Sequence, residues 1–138
     1  MKRYAMLRTD WQVAVTVHSP DEDAYGLHPR YDLVKHATEF GWGKDNCATS
    51  QLALALLCDA MGIGNSEMQQ YAQCQPARTA DQCTGCADVS SRINSVLSTY
   101  QLYARDVLTA VPLLQMSWET TSDCLVAWLR ETEVELRR

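Results

Sequence analysis

The chain has 138 residues, 46% of them apolar and 21% charged, which is the make-up of a folded globular domain and excludes an intrinsically disordered chain. Its 17 acidic residues outnumber 12 basic ones for a formal net charge of −5, so direct nucleic-acid binding lacks its usual electrostatic basis. No apolar run is long enough for a membrane span; the longest, Leu52 to Cys58, stops at Asp59.

Taken in chain order, the opening MKRYAMLRTD lacks the apolar core of a signal peptide, so a cytoplasmic protein with six reduced cysteines is expected. In WQVAVTVH the residues Trp11, Val13, Val15 and Val17 fall on one side and Gln12, Ala14, Thr16 and His18 on the other. That alternation of β-branched residues predicts a strand, paired with the Tyr4-Ala5-Met6-Leu7 segment across Arg8, Thr9 and Asp10. The following SPDEDAYGLHPR, with its prolines and acidic residues, reads as a surface loop.

A helix is predicted from an N-cap at Thr49 or Ser50 to about Met61, ended by Gly62 and Gly64. Leu52, Ala53, Leu54, Ala55, Leu56 and Leu57 surround its axis, so it should be central and covered on several sides. A second helix is predicted over residues 87–110, where Val89, Ile93, Val96, Tyr100, Tyr103 and Val107 recur at alternating spacings of four and three before Pro112. A last helix follows Thr120 to Ser122, with Leu125, Trp128, Leu129, Thr132 and Leu136 as its inner stripe. The heptad-like spacing points first to an intramolecular seam and leaves a homodimer open. With neither repeat nor linker, residues 1–138 form a single α+β domain: a small N-terminal antiparallel hairpin or sheet packed by three to four helices.

Residues 40–57 then resemble a family of small proteins of unknown function from phages, plasmids, archaeal viruses and bacteria. Its signature is close to F-x-W-G-Y-G-G-S-G-P-A-Q-L-A-L-A. Phe40, Trp42 and Gly43 match it, as do Gln51, Leu52, Ala53, Leu54 and Ala55 in the same register. Leu27, Pro29, Leu33, His36, Tyr100 to Tyr103, Trp118, Trp128 and Leu129 fit as flanking features, and residues 63–98 look inserted or diverged. Where the family has G-Y-G-G-S-G-P-A, this chain has Gly43-Lys44-Asp45-Asn46-Cys47-Ala48-Thr49-Ser50: the extra glycines are gone, Lys44 replaces an aromatic and Cys47 the serine, which argues against a shared backbone cradle. The resemblance implies a fold and a mobile-element setting rather than a reaction.

Three sites are candidates. Cys47 precedes a helix N-terminus, whose positive potential favours a thiolate, and His36 with Asp45 or Asn46 could complete a thiol enzyme; the competing reading is a small residue in the turn before the helix. Cys74, Cys83 and Cys86, in QCQPARTADQCTGCADV, contain a C-x2-C half-site for zinc, with Cys58, Cys124 or a histidine as fourth ligand; free thiols or a Cys83–Cys86 redox pair are the alternatives. Trp11, Trp42, Trp118, Trp128, Tyr100 and Tyr103 could anchor an interface, but their periodic placement makes most of them core, with only Trp42 in a loop. The leading expectation is a non-enzymatic binder of another protein, of the kind by which mobile elements block host defences such as CRISPR effectors. Its contact surfaces would be the loop of Trp42, Lys44 and Asp45, the acidic Asp21, Glu22 and Asp23, and Glu131 and Glu135 of the last helix. The enzyme built on Cys47 and His36 and a zinc-stabilised binding module are the alternatives.

Overall fold

The computed structural model describes residues 1–9, 12–74 and 86–137, with Gln73, Cys74, Cys86 and Ala87 described by backbone alone. It is an α+β domain in which an antiparallel sheet of four strands carries its helices on one face. The strands are β1 (Arg3–Arg8), β2 (Val13–Ser19), β3 (Glu22–Gly26) and β4 (Ser117–Thr121), in the order β3-β2-β1-β4. The expected hairpin is present, with Tyr4 opposite Val17 and Met6 opposite Val15. Tyr4, Met6, Val15 and Val17 form the buried face, while Arg3, Ala5, Ala14 and Thr16 alternate to the other. Trp11 lies outside the described residues.

The segment expected to be a loop after Ser19 instead returns as β3, pairing with β2 around a register shift between Val17 and Ser19. Only Tyr25 in this strand is partly covered, so the period-2 signal is faint: an edge strand buries little on either face. β4 was absent from the sequence reading as well. It is short, and its last residue, Thr121, is also the N-cap of the next helix, accepting a hydrogen bond from the Cys124 N–H.

The helices are α1 (Cys47–Ala60), α2 (Asn65–Cys74), α3 (Cys86–Asp106) and α4 (Ser122–Leu136), with a single 3-10 turn at Leu108–Ala110. α1 begins three or four residues earlier than expected. Its N-cap is Asn46, whose Oδ1 accepts from the Thr49 N–H at 3.0 Å, while the Thr49 hydroxyl donates to the Lys44 carbonyl at 2.6 Å. From Thr49 to Cys58 every α1 residue except Ser50 is buried, so α1 is the central helix, packed by α3 and α4. Val89, Ile93, Val96, Tyr100 and Tyr103 form the buried stripe of α3, which tightens into the 3-10 turn before Pro112. In α4, Leu125 and Leu129 are buried against the core, Trp128 meets Tyr103 edge-on at 5.0 Å, and Leu136 is exposed, so the inner stripe ends before Leu136. Among the described residues no single helix is long and apolar enough to cross a membrane.

Residues 40–57 are the knot that ties these layers together. Gln51 is fully buried within α1 and uses its whole amide. Its Oε1 accepts from the His36 and Ala37 N–H groups at 2.6 and 3.2 Å, and its Nε2 donates to the Pro29 and Val34 carbonyls at 2.6 and 3.1 Å. Trp42 is core rather than surface: its ring is 1% exposed, lies edge-on to Trp118 at 6.3 Å and is covered by the Arg8 guanidinium 4.5 Å from its centroid. Gly43, at φ +83°, donates its N–H to the Leu108 carbonyl at 2.9 Å and lets the Leu113 backbone approach closely.

Candidate functional site

At the opposite end of α1 from this knot, β3 and the corner between α1 and α2 enclose a cleft of about 690 Å³, within the usual range for ligand clefts. Its floor is Asp59, the first charged residue after the long apolar run of α1. Asp59 Oδ1 accepts from the Tyr4 hydroxyl at 2.7 Å and lies 3.2 Å from Lys2 Nζ, and its Oδ2 accepts from the Tyr25 hydroxyl at 2.8 Å. Lys2 also donates to the Tyr25 oxygen at 3.0 Å. Each member holds the next, so the floor is a closed network joining β1, β3 and α1.

The network governs the ionisation of its members. Burial alone would lower the Lys2 pKa, but the Tyr25 hydroxyl and the Asp59 carboxylate more than offset it and the pKa is raised. Tyr4 is raised by burial and by its hydrogen bond to Asp59, and Tyr25 by burial ahead of the opposing contributions of Lys2 and Asp59. In the core nearby, burial pushes the Cys58 thiol from 9.0 up to about 12. All these groups hold protons more tightly when folded than when unfolded, so their contribution to stability is complete below the unfolded values and is lost as pH rises through the folded ones. The unfolding free energy should therefore decline from about pH 9 upward, beginning with Cys58. Urea titrations between pH 8 and 11 check this, and Cys58→Ala should flatten the first part of the decline; an unchanged decline in that variant would remove Cys58 as its source.

One wall of the cleft contains Arg30, which is buried although its backbone has φ +61°, rare for a side-chain-bearing residue. Its carbonyl accepts from the Leu33 N–H at 3.1 Å, its Nη2 donates to Asn65 Oδ1 at 2.8 Å, and its Nη1 lies 3.7 Å from the Asp32 carboxylate. Arg30 thus ties the loop after β3 to the start of α2. The rim is acidic: Glu22 and Asp23 of β3 and Glu67 of α2 line the cleft and make no ion pair among the described residues. Asp21 stands beside them in the exposed turn between β2 and β3.

The other sequence candidates lie apart from this cleft. Lys44, Asp45 and Cys47 are exposed before and at the start of α1, with no side-chain hydrogen bond or ion pair among the described residues. His36 gives its Nε2 to the Tyr100 hydroxyl at 2.6 Å and its backbone N–H to Gln51, and no hydrogen bond joins it to Cys47 or Asp45. Glu131 and Glu135 are exposed on α4, where the ion pairs belong instead to Glu133, with Arg130 and Arg137. Of the zinc candidates, Cys83 lies outside the described residues, and Cys74 ends α2 while Cys86 begins α3. Cys58 is buried in α1 and Cys124 is exposed on α4. Among the described residues no group of three or more His, Cys, Asp or Glu side chains is placed to hold a metal.

The sequence reading found the acidic rim through Asp21, Glu22 and Asp23 but missed Lys2, Tyr25, Arg30, Asp59, Asn65 and Glu67. Asp59 carried the one available signal, a carboxylate directly after an apolar run. The others are brought together only by the return of β3 and the turn at Gly62. No known protein family, curated protein or solved structure matches the chain.

Proposed function

We propose that this chain is a non-enzymatic protein-binding domain that receives a basic segment of its partner in the cleft between β3 and the α1–α2 corner. The observation that carries the reading is a cleft of ligand-site size with a cross-linked floor and, at its mouth, the carboxylates of Glu22, Asp23 and Glu67, which form no ion pair among the described residues. A partner's lysine or arginine supplies the counter-charge, and pairing at such a solvated rim acts mainly on orientation and association rate. The likeness of residues 40–57 to mobile-element proteins supports a partner within a host defence complex, such as a CRISPR effector. The thiol-enzyme alternative has less support, because the His36 ring is engaged with Tyr100 rather than with Cys47. A zinc-stabilised form of the binding module is supported by the Cys83–Cys86 spacing alone.

A fluorescently labelled lysine-rich peptide and its fully acetylated counterpart test the reading. The lysine peptide should bind saturably, and combined Glu22→Gln, Asp23→Asn and Glu67→Gln should weaken it at least tenfold. Cys47→Ala should leave binding unchanged. Equal affinity for the acetylated peptide would contradict the charge-based reading, and loss of binding on Cys47→Ala would shift support to the thiol.

A further inference from the structure

β3 is an edge strand, and the cleft runs along its free side. Among the described residues the sheet order places β3 outermost, beside β2 only. Glu22, Asp23, Ala24 and Tyr25 all line the cleft. Glu22 and Tyr25 pair with Ser19 and Val17 on one face of the sheet, and Asp23 and Ala24 stand between them at the register shift, so a groove that touches all four meets the backbone edge as well. The ladder identifies which groups are free there. The Leu27 N–H donates to the Val15 carbonyl at 3.1 Å, which makes Val15 and Leu27 a hydrogen-bonded pair and the next pair, Thr16 and Gly26, a non-hydrogen-bonded one. Gly26 therefore turns its N–H and C=O away from β2, and so does the Ala24 C=O, which belongs to the peptide group whose N–H, that of Tyr25, faces Val17; the register shift begins at the Ala24 N–H. Both residues are exposed, and nothing lies within 4 Å of where a Cβ on Gly26 would stand. Across the groove stand Ala55 and Asp59 of α1, the turn at Gly62 to Gly64, and Asn65 and Glu67 of α2.

A groove between an open strand edge and a helix corner fits an extended chain. We propose that a segment of the partner protein adds to the sheet as a strand beside β3, hydrogen-bonding to Ala24 and Gly26. Its basic side chains, at every second position, lie on one face of the sheet and meet Glu22, which shares the face of Tyr25, and Glu67 across the groove. The main chain supplies the affinity and the acidic rim selects the sequence. This rests on the cleft reading above and adds the mode of recognition and the form of the partner segment.

The test uses the full chain and an acetylated, amidated heptapeptide alternating valine and lysine, with two analogues N-methylated at its odd or at its even positions. The parent peptide should bind saturably and slow hydrogen exchange at the Gly26 amide at least tenfold. One analogue should lose at least tenfold in affinity and the other should keep it, because only one edge of the peptide faces β3. If both analogues bind like the parent, or the Gly26 amide exchanges unchanged, strand addition is overturned while side-chain docking in the cleft stands. If the parent peptide shows no saturable binding, both readings are overturned.

Discussion

Replacing Gln51 with leucine should lower the unfolding free energy by about 4 kcal/mol, close to the whole stability of a marginal domain. The size and helical propensity of the side chain are nearly kept, so the loss comes from the groups Gln51 serves. The His36 and Ala37 N–H groups and the Pro29 and Val34 carbonyls, on partly covered residues, would each lose the partner that the fully buried Gln51 provides. At the low end of the cost for a buried unsatisfied group, about 1 kcal/mol each, the four sum to that figure. The loop spanning residues 29–37 has few regular backbone bonds of its own, so it should loosen first, and the Arg30 contact to Asn65 in the cleft wall should loosen with it. Urea denaturation with an unchanged m-value measures the effect. A loss below about 1 kcal/mol would show that the loop is held by other contacts.

Gly43→Ala should cost about 2–4 kcal/mol, by two mechanisms that act together. At φ +83° an L side chain is strained, and its Cβ would stand 2.7 Å from the Leu113 Cα, a backbone atom that cannot rotate away. Relief requires pulling the segment after the 3-10 turn off the loop, which breaks the Gly43 N–H bond to Leu108 and uncovers Trp42. Gly26→Ala is the matched control. Nothing within 4 Å opposes its Cβ, so its stability should move by less than about 0.5 kcal/mol. Comparable losses at both positions would mean that close approach is not what Gly43 provides.

These two residues show what was legible in the sequence and what was not. The strand alternation of Val13, Val15 and Val17 and the apolar girdle of α1 are local periodicities, and both the hairpin and the central helix followed from them. The stretch of residues 40–57 stood out as a motif, but its meaning depends on contacts with residues far away in the chain. Gln51 reaches back to Pro29, and Gly43 meets Leu113, pairings that no periodicity announces. Trp42, placed in a loop by its sequence context, is enclosed because Arg8 and Trp118 close over it from β1 and β4. β3 and β4 were hidden for a related reason: short edge strands bury too little to alternate clearly, and β4 runs straight into a helix cap. The cleft was the least legible, since Lys2, Tyr25, Asp59 and Glu67 become neighbours only once the sheet has formed and the chain has turned at Gly62.

A division of labour follows within α1. Its N-terminal end and the preceding loop, with Trp42, Gly43, Asn46 and Gln51, hold the layers together. Its C-terminal end, with Asp59, supports the cleft proposed to meet the partner. A ¹H–¹⁵N correlation titration of the full chain with the alternating valine–lysine peptide tests this most directly. The predicted result is saturable shifts at Ala24, Tyr25, Gly26, Asp59, Gly62, Gly64 and Asn65, with residues 41–47 unmoved. Shifts centred on Lys44, Asp45 and Cys47 with a silent cleft would contradict it.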